Sequence, residues 1–183
     1  MEKLKNIFKK KSLIEYVIYS IIIILVVLLD QITKLLATKY LSKMVTMPII
    51  EGVIHFTYHT NDGIAFGMLG GARWLFMPVS IIAILAVGVY LFGGLAENRL
   101  YAVASAFIIG GGIGNMIDRT AFEYVVDFID FRLIDFAIFN VADSFVCIGA
   151  GLLVLALVLD IINESKKSKE NVTKSEDNND TVS

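Results

Sequence analysis

Charge is scarce in this sequence. Only 19% of its 183 residues are Asp, Glu, Lys or Arg, whereas soluble domains carry about one-quarter. Apolar residues make up 56% of the chain, and the mean hydropathy is +0.72. That balance excludes a disordered protein and argues against a soluble one. Cysteine is nearly absent: Cys147 stands alone within an apolar run, so it marks neither a disulfide nor a redox compartment. His55 and His59 are the two histidines, too few with one cysteine for a four-ligand Cys/His zinc site. An excess of one sign is also missing. The net charge of −2 gives no basic field of the kind that nucleic acid requires. The length suits one domain, and the remaining class is a small α-helical integral membrane protein.

A bilayer core of about 30 Å takes roughly 20 mostly apolar residues as a helix. Four stretches meet or approach this length: 13–36, 74–95, 100–117 and 138–159. Pro78 lies near the start of the second, where proline is tolerated. The third is short but rich in glycine, with Gly110, Gly111, Gly112 and Gly114 suited to close helix contact in lipid. The apolar centre of the first stretch, 21–29, runs into Asp30-Gln31, unlike the small-residue end of a cleaved signal peptide, and the stretch is read as a retained span. Residues 1–162 thus form a four-span domain, and 163–183 a polar tail expected to be disordered.

Lysine and arginine set the orientation. Lys3, Lys5, Lys9, Lys10, Lys11, Arg99, Lys166, Lys167, Lys169 and Lys174 fall on one side of this arrangement. Lys34, Lys39, Lys43, Arg73, Arg119 and Arg132 fall on the other. Both termini are therefore expected in the cytoplasm. Asp30, Lys34, Asn61, Asp62, Asn115, Asp118, Arg119, Asp127, Asp130, Asp135, Asn140 and Asp143 then all lie near the outer surface. Asp143 is the conspicuous one, because Phe139 and Val141 precede it and an apolar run follows it. An ionisable residue in such a place is costly and points to function.

The outer segments supply a platform. Ile54, Phe56 and Tyr58 alternate with His55, Thr57 and His59, the period of a half-buried strand. Asn61-Asp62-Gly63 gives a turn before 64–67, so a small extracytoplasmic β-element is expected. Segment 124–139 mixes Phe128, Phe131, Phe136 and Phe139 with charge. It reads as interfacial, with helical and strand periods both partly fitting.

The chemistry available there is carboxylate chemistry. No P-loop is present, and neither histidine stands in a triad context that would activate Ser80, Ser105 or Ser144. The histidines read as solvated or hydrogen-bonded. Two aspartates sharing a proton form a complete acid–base pair: one activates water, and the other polarises a carbonyl and returns a proton to the amine. Asp127, in the apolar Val125-Val126-Asp127-Phe128, and Asp143 are the best-placed pair. Asp118 reads as an ion-paired positioning residue beside Arg119, and Asp130 and Asp135 as solvated. Position alone leaves two competitors open: a small ion-coupled transporter using Asp30 and Asp143, and a structural hydrogen-bond network.

At these residues the chain resembles the lipoprotein signal peptidase (signal peptidase II) family of aspartic membrane peptidases. The motifs are Asp30-Gln31-Ile32-Thr33-Lys34, Asn61-Asp62-Gly63-Ile64-Ala65-Phe66-Gly67, Gly111 through Arg119, Val125 through Asp130, and Phe139-Asn140-Val141-Ala142-Asp143-Ser144. The resemblance implies four spans and a catalytic dyad of Asp127 and Asp143. It implies that Asn61, Gly63, Asn115, Asp118, Arg119 and Asn140 shape the substrate site, with Asp30 and Lys34 nearby. It also implies cleavage of diacylglyceryl-modified prolipoproteins before the lipidated cysteine, by a monomer in the bacterial plasma membrane, without metal or organic cofactor. Membrane lipids are the other expected partner. One departure is Glu123, where the family often has glycine. A positive φ there would strain glutamate, so the loop 120–124 is expected to differ locally.

Overall fold

The computed structural model describes residues 12–63, 73–96, 98–134 and 136–180. Four helices and a three-stranded antiparallel sheet follow in the order α1 (Leu13–Leu41), β1 (Met47–Ile50), β2 (Ile54–Asn61), α2 (Arg73–Phe92), α3 (Arg99–Ala121), β3 (Val125–Phe131) and α4 (Val141–Asp180), with a 3-10 turn at Arg132–Ile134. Helices α1, α3 and the Val141–Lys167 part of α4 are each long and apolar enough to cross a membrane. α2 is a fourth apolar helix that carries Pro78 within it. Large aliphatic residues such as Ile24, Leu28, Leu85 and Leu155 lie exposed, as lipid-facing positions require.

The helix ends explain themselves locally. Ser12 caps α1 by accepting from the Glu15 N–H at 3.2 Å, and Glu15 returns a bond to the Ser12 N–H at 2.9 Å. This reciprocal box satisfies two otherwise orphaned donors. Asn98 caps α3 through the N–H groups of Leu100 and Tyr101. The buried stripe of α1 runs Tyr19, Val26, Asp30, Lys34, Ala37, Leu41. Its spacing of three, four or seven is that of one helix face, so two charged residues are carried inside in the middle of an apolar stripe.

Helix α3 is the centre against which the other three pack. A Cβ at Gly111 would strike the Ala142 carbonyl oxygen of α4, and one at Gly114 would lie 2.5 Å from Asp30 Oδ2. The absence of side chains here lets α1 and α4 close on α3. At the α1 C-terminal end of the bundle, Ala37 and Leu41 pack with Val126 and Phe128 of β3, which fixes the sheet to the helices.

Several expectations require correction. Polar residues after 163 do not break the helix: α4 continues to Asp180. Once a helix is nucleated in an apolar span, each further residue adds one hydrogen bond at little cost. α4 begins at Val141 rather than 138, because Phe139 is taken up by backbone pairing with Ile129. α1 and α3 run five and four residues further than their apolar runs. Segment 124–139 resolves into β3 and the 3-10 turn. Residues 64–67 and Asp135 lie outside the described residues.

Glu123 has φ of +73°, so the loop keeps the conformation that favours glycine and does not avoid it. The left-handed region costs a side-chain-bearing residue about 1–2 kcal/mol. Glu123→Gly should therefore melt at a higher temperature than Glu123→Ala, with about 1 kcal/mol between them. Both variants lose the glutamate side chain, so thermal unfolding of the pair isolates the backbone strain.

Candidate active site

Asp127 sits in the middle of β3, opposite His59 of β2. A register irregularity between Phe56 and His59 bends the pair locally. On the other edge of β3, the N–H groups of Phe128 and Ile129 donate to the Phe139 carbonyl at 3.0 and 2.8 Å. That pairing delivers Asn140 to Asp127: Asn140 Nδ2 donates to Asp127 Oδ1 at 2.6 Å. Asn140 also caps α4, accepting from the Asp143 N–H at 2.9 Å through Oδ1. Asp143 Oδ2 reciprocates by accepting from the Asn140 N–H at 3.2 Å. This is a capping box with Asp at the third helical position, and it sets a carboxylate at the helix end where the dipole stabilises negative charge.

Two further asparagines complete the hold. Asn61 Nδ2 donates to Asp127 Oδ2 at 2.9 Å, and its Oδ1 is occupied by the Gly63 N–H at 3.0 Å. Asn115 Nδ2 donates to Asp143 Oδ1 at 2.7 Å. Every oxygen of both carboxyl groups thus accepts from an amide N–H. Asp127 is buried, at 1% exposure. Burial raises its pKa from the ordinary 3.8 to about 6; the nearby negative charge of Asp143 adds to the rise, while the bonds from Asn61 and Asn140 oppose it. The two acids lie close enough to share an electrostatic field, and both line one cavity of about 290 Å³.

The rest of the cavity wall is Asn61, Asn115, Arg119, Val125, Ser144 and the apolar strip from Phe136 to Phe139, with Val146 and Cys147 one turn further along α4. It is a mostly apolar chamber with a few convergent polar groups, the usual character of a ligand site. Arg119 Nη2 donates to the Gly63 carbonyl at 3.4 Å, which ties α3 to the end of β2. Among the described residues, no group of three or more His, Cys, Asp or Glu side chains is arranged to hold a metal ion.

Not every expected site residue reaches this cavity. Asp30, Lys34, Asp118 and Asn140 are buried but, unlike Asp127, they do not line the cavity; they stand behind its wall. Lys34 Nζ contacts Asp30 Oδ2 at 2.9 Å, Asp118 Oδ2 at 3.0 Å and Asn115 Oδ1 at 2.9 Å. Asp118, read from the sequence as ion-paired beside Arg119, pairs with Lys34. Gln31, missing from the expected set although it stands in a quoted motif, donates to Asp118 Oδ1 at 2.9 Å and to the Gly114 carbonyl at 3.2 Å.

Asp130 is buried rather than solvated. It accepts from Thr57 Oγ1 at 2.7 Å and from Arg132 Nε at 2.8 Å. Burial alone would raise its pKa; the Thr57 bond and the Arg132 charge outweigh this and hold it below the usual carboxylate value. His55 is buried and hydrogen-bonded to Thr46 and to the Gly52 N–H, whereas His59 is exposed.

The raised pKa of Asp127 sets a sign for stability. Between pH 4 and 6 the folded protein retains a proton that the unfolded chain has lost, so stability falls as pH rises through this window. The loss is of order 3 kcal/mol and is complete above about pH 6. Denaturation of the purified protein across pH 4–7 should show this slope, and Asp127→Asn should lack it.

Comparison with known proteins places the arrangement. The model of the family described as signal peptidase (SPase) II matches residues 22–159. The lipoprotein signal peptidase of Halalkalibacterium halodurans is 39% identical over 155 residues, covering 84% of this chain and 97% of the relative. That of Caldanaerobacter subterraneus subsp. tengcongensis is 46% identical over 133 residues, covering 73% and 90%. A solved bacterial membrane enzyme structure superposes with a TM-score of 0.73 at 35% identity, covering 79% of this chain and 90% of that one. With the match spanning the four helices, the sheet and every residue around the cavity, the chain belongs to the signal peptidase II family of membrane peptidases.

Proposed function

We propose that this protein is an aspartic endopeptidase that removes signal peptides from diacylglyceryl-modified prolipoproteins, cutting before the lipidated cysteine. The observation that carries the reading is the pair of carboxyl groups, Asp127 and Asp143, on one cavity wall with all four oxygens held by amide donors. The names of the relatives supply the substrate class. Nothing in the fold or the relatives favours the ion-coupled transporter.

One of the two acids carries the shared proton and the other is the base; Asp127, whose pKa burial raises, is taken as the acid. Two carboxyl groups this close in a poorly solvated site ionise as a pair and retain one proton between them. Asp143 takes a proton from water as the water oxygen attacks the scissile carbonyl carbon. Asp127 gives its proton to the carbonyl oxygen, and a gem-diol forms. Breakdown returns a hydroxyl proton to Asp127, the C–N bond breaks, and Asp143 protonates the departing amine. Both acids are then as they began. The apolar Phe136–Phe139 strip keeps the chamber free of excess water, which strengthens each of these interactions.

The location suits the substrate. We place the sheet end of the bundle at the outer face of the bacterial plasma membrane, with both termini cytoplasmic, from the distribution of lysine and arginine. A lipidated substrate leaves its acyl chains and signal helix in the bilayer and presents its scissile bond at headgroup depth. A dyad at that depth meets the bond with water available. The four-helix domain can act as a monomer, since both acids and all their partners come from one chain.

Asp127→Asn and Asp143→Asn should each abolish cleavage of a diacylglyceryl-lipobox substrate while the purified proteins remain folded. Mass spectrometry of the wild-type products should place the cut immediately before the lipidated cysteine and find the unlipidated peptide intact. Full activity in either variant would refute the dyad.

A further inference from the structure

Lys34 has three N–H donors and three acceptors, Asp30 Oδ2, Asp118 Oδ2 and Asn115 Oδ1, all within 3.0 Å. Its side chain is 4% exposed, and an ammonium so covered is tolerable only when fully paired. Each of its partners leads to one of the two acids. Asp30 Oδ1 accepts from the Ala142 N–H at 2.9 Å, the residue immediately before Asp143. Asp118 Oδ2 accepts from the Val126 N–H at 3.2 Å, the residue immediately before Asp127. Asn115 reaches Asp143 itself.

The third link also carries a direction. An ammonium can only donate, so the Asn115 atom facing Lys34 must be its carbonyl oxygen. Asn140 Nδ2 donates to the same oxygen at 3.1 Å. The Asn115 amide is thereby fixed with its N–H group towards Asp143 Oδ1, which must accept. With a neutral residue at position 34, the Asn115 amide loses its charged donor, and the weaker Asn140 Nδ2 bond is left to hold its oxygen away from Asp143.

We propose that Lys34 is the positioning residue for both acids: through Asp30 and Asp118 it fastens the backbone beside each, and through Asn115 it dictates which atom Asp143 meets. This rests on the reading of Asp127 and Asp143 as the catalytic pair. Lys34 touches no substrate, so its effect falls on turnover and not on substrate affinity. A purely structural lysine would act otherwise, serving only to neutralise two buried carboxylates.

The test uses the full-length purified protein, a diacylglyceryl-lipobox peptide, and two variants: Lys34→Met, and Lys34→Met combined with Asp30→Asn and Asp118→Asn. The triple variant removes the buried negative charges together with the lysine and keeps an acceptor oxygen for the Ala142 and Val126 N–H groups. Both variants should fold, with kcat reduced about 100-fold, as for a misplaced reacting group, and KM within about twofold of wild type. If Lys34→Met fails to fold, the triple variant carries the test. Wild-type kcat in a folded Lys34→Met, or kcat restored in the triple variant, would overturn the proposal, and so would a triple variant that cannot fold. Asp127→Asn runs alongside: activity there would sink the dyad itself, whatever Lys34 does.

Discussion

One fully buried asparagine amide joins the two halves of the site. Asn140 Nδ2 bonds to Asp127 while Asn140 Oδ1 caps the helix that carries Asp143. A strand and a helix from different parts of the fold are thereby locked at the point where their acids must meet. The lock works because Phe139 is stitched to β3 on the residue before and because Gly111 leaves room for the Ala142 carbonyl on the residue after next. Local capping, strand pairing and helix packing converge on three consecutive peptide units.

The membrane explains why so many amides are employed. Away from water an unpaired polar group costs several kcal/mol, yet the proposed hydrolysis needs two carboxyl groups and access to water. The structure resolves this by giving each carboxyl oxygen a neutral N–H donor. The buried lysine is kept one layer back, where Lys34 is matched by Asp30 and Asp118, and the Arg119 guanidinium in the cavity wall donates to the Gly63 carbonyl. Neutral donors hold geometry and lower the Asp127 pKa less than burial raises it. A cation directly on Asp127 would instead favour its charged form and remove the proton that the proposed chemistry requires.

Much of this was legible in the sequence, and the remainder has physical reasons for being hidden. The four apolar runs could be read because lipid demands long hydrophobic stretches. Their ends could not, since capping and strand pairing decide where α4 begins. Strand β2 showed its alternation; β1 did not, because Met47–Ile50 is short, contains Pro48 and has three exposed residues. The apolar setting of Asp127 and Asp143 pointed to function in advance of any contact. Asp130 misled in the opposite sense, because its partners Thr57 and Arg132 become neighbours only once β2 and β3 pair. The layer behind the cavity was the least visible part. Lys34 meets Asn115 across 81 residues of sequence, and no local pattern encodes that distance.

The central claim is that two carboxyl groups act as one proton-sharing unit. Titration of ¹³C-carboxyl-labelled aspartates by NMR in the purified protein reads this directly. Asp127 should titrate well above the ordinary aspartate value, and replacing Asp143 by Asn should shift its midpoint downward. An Asp127 midpoint at the ordinary value, or one unmoved by loss of Asp143, would contradict the account.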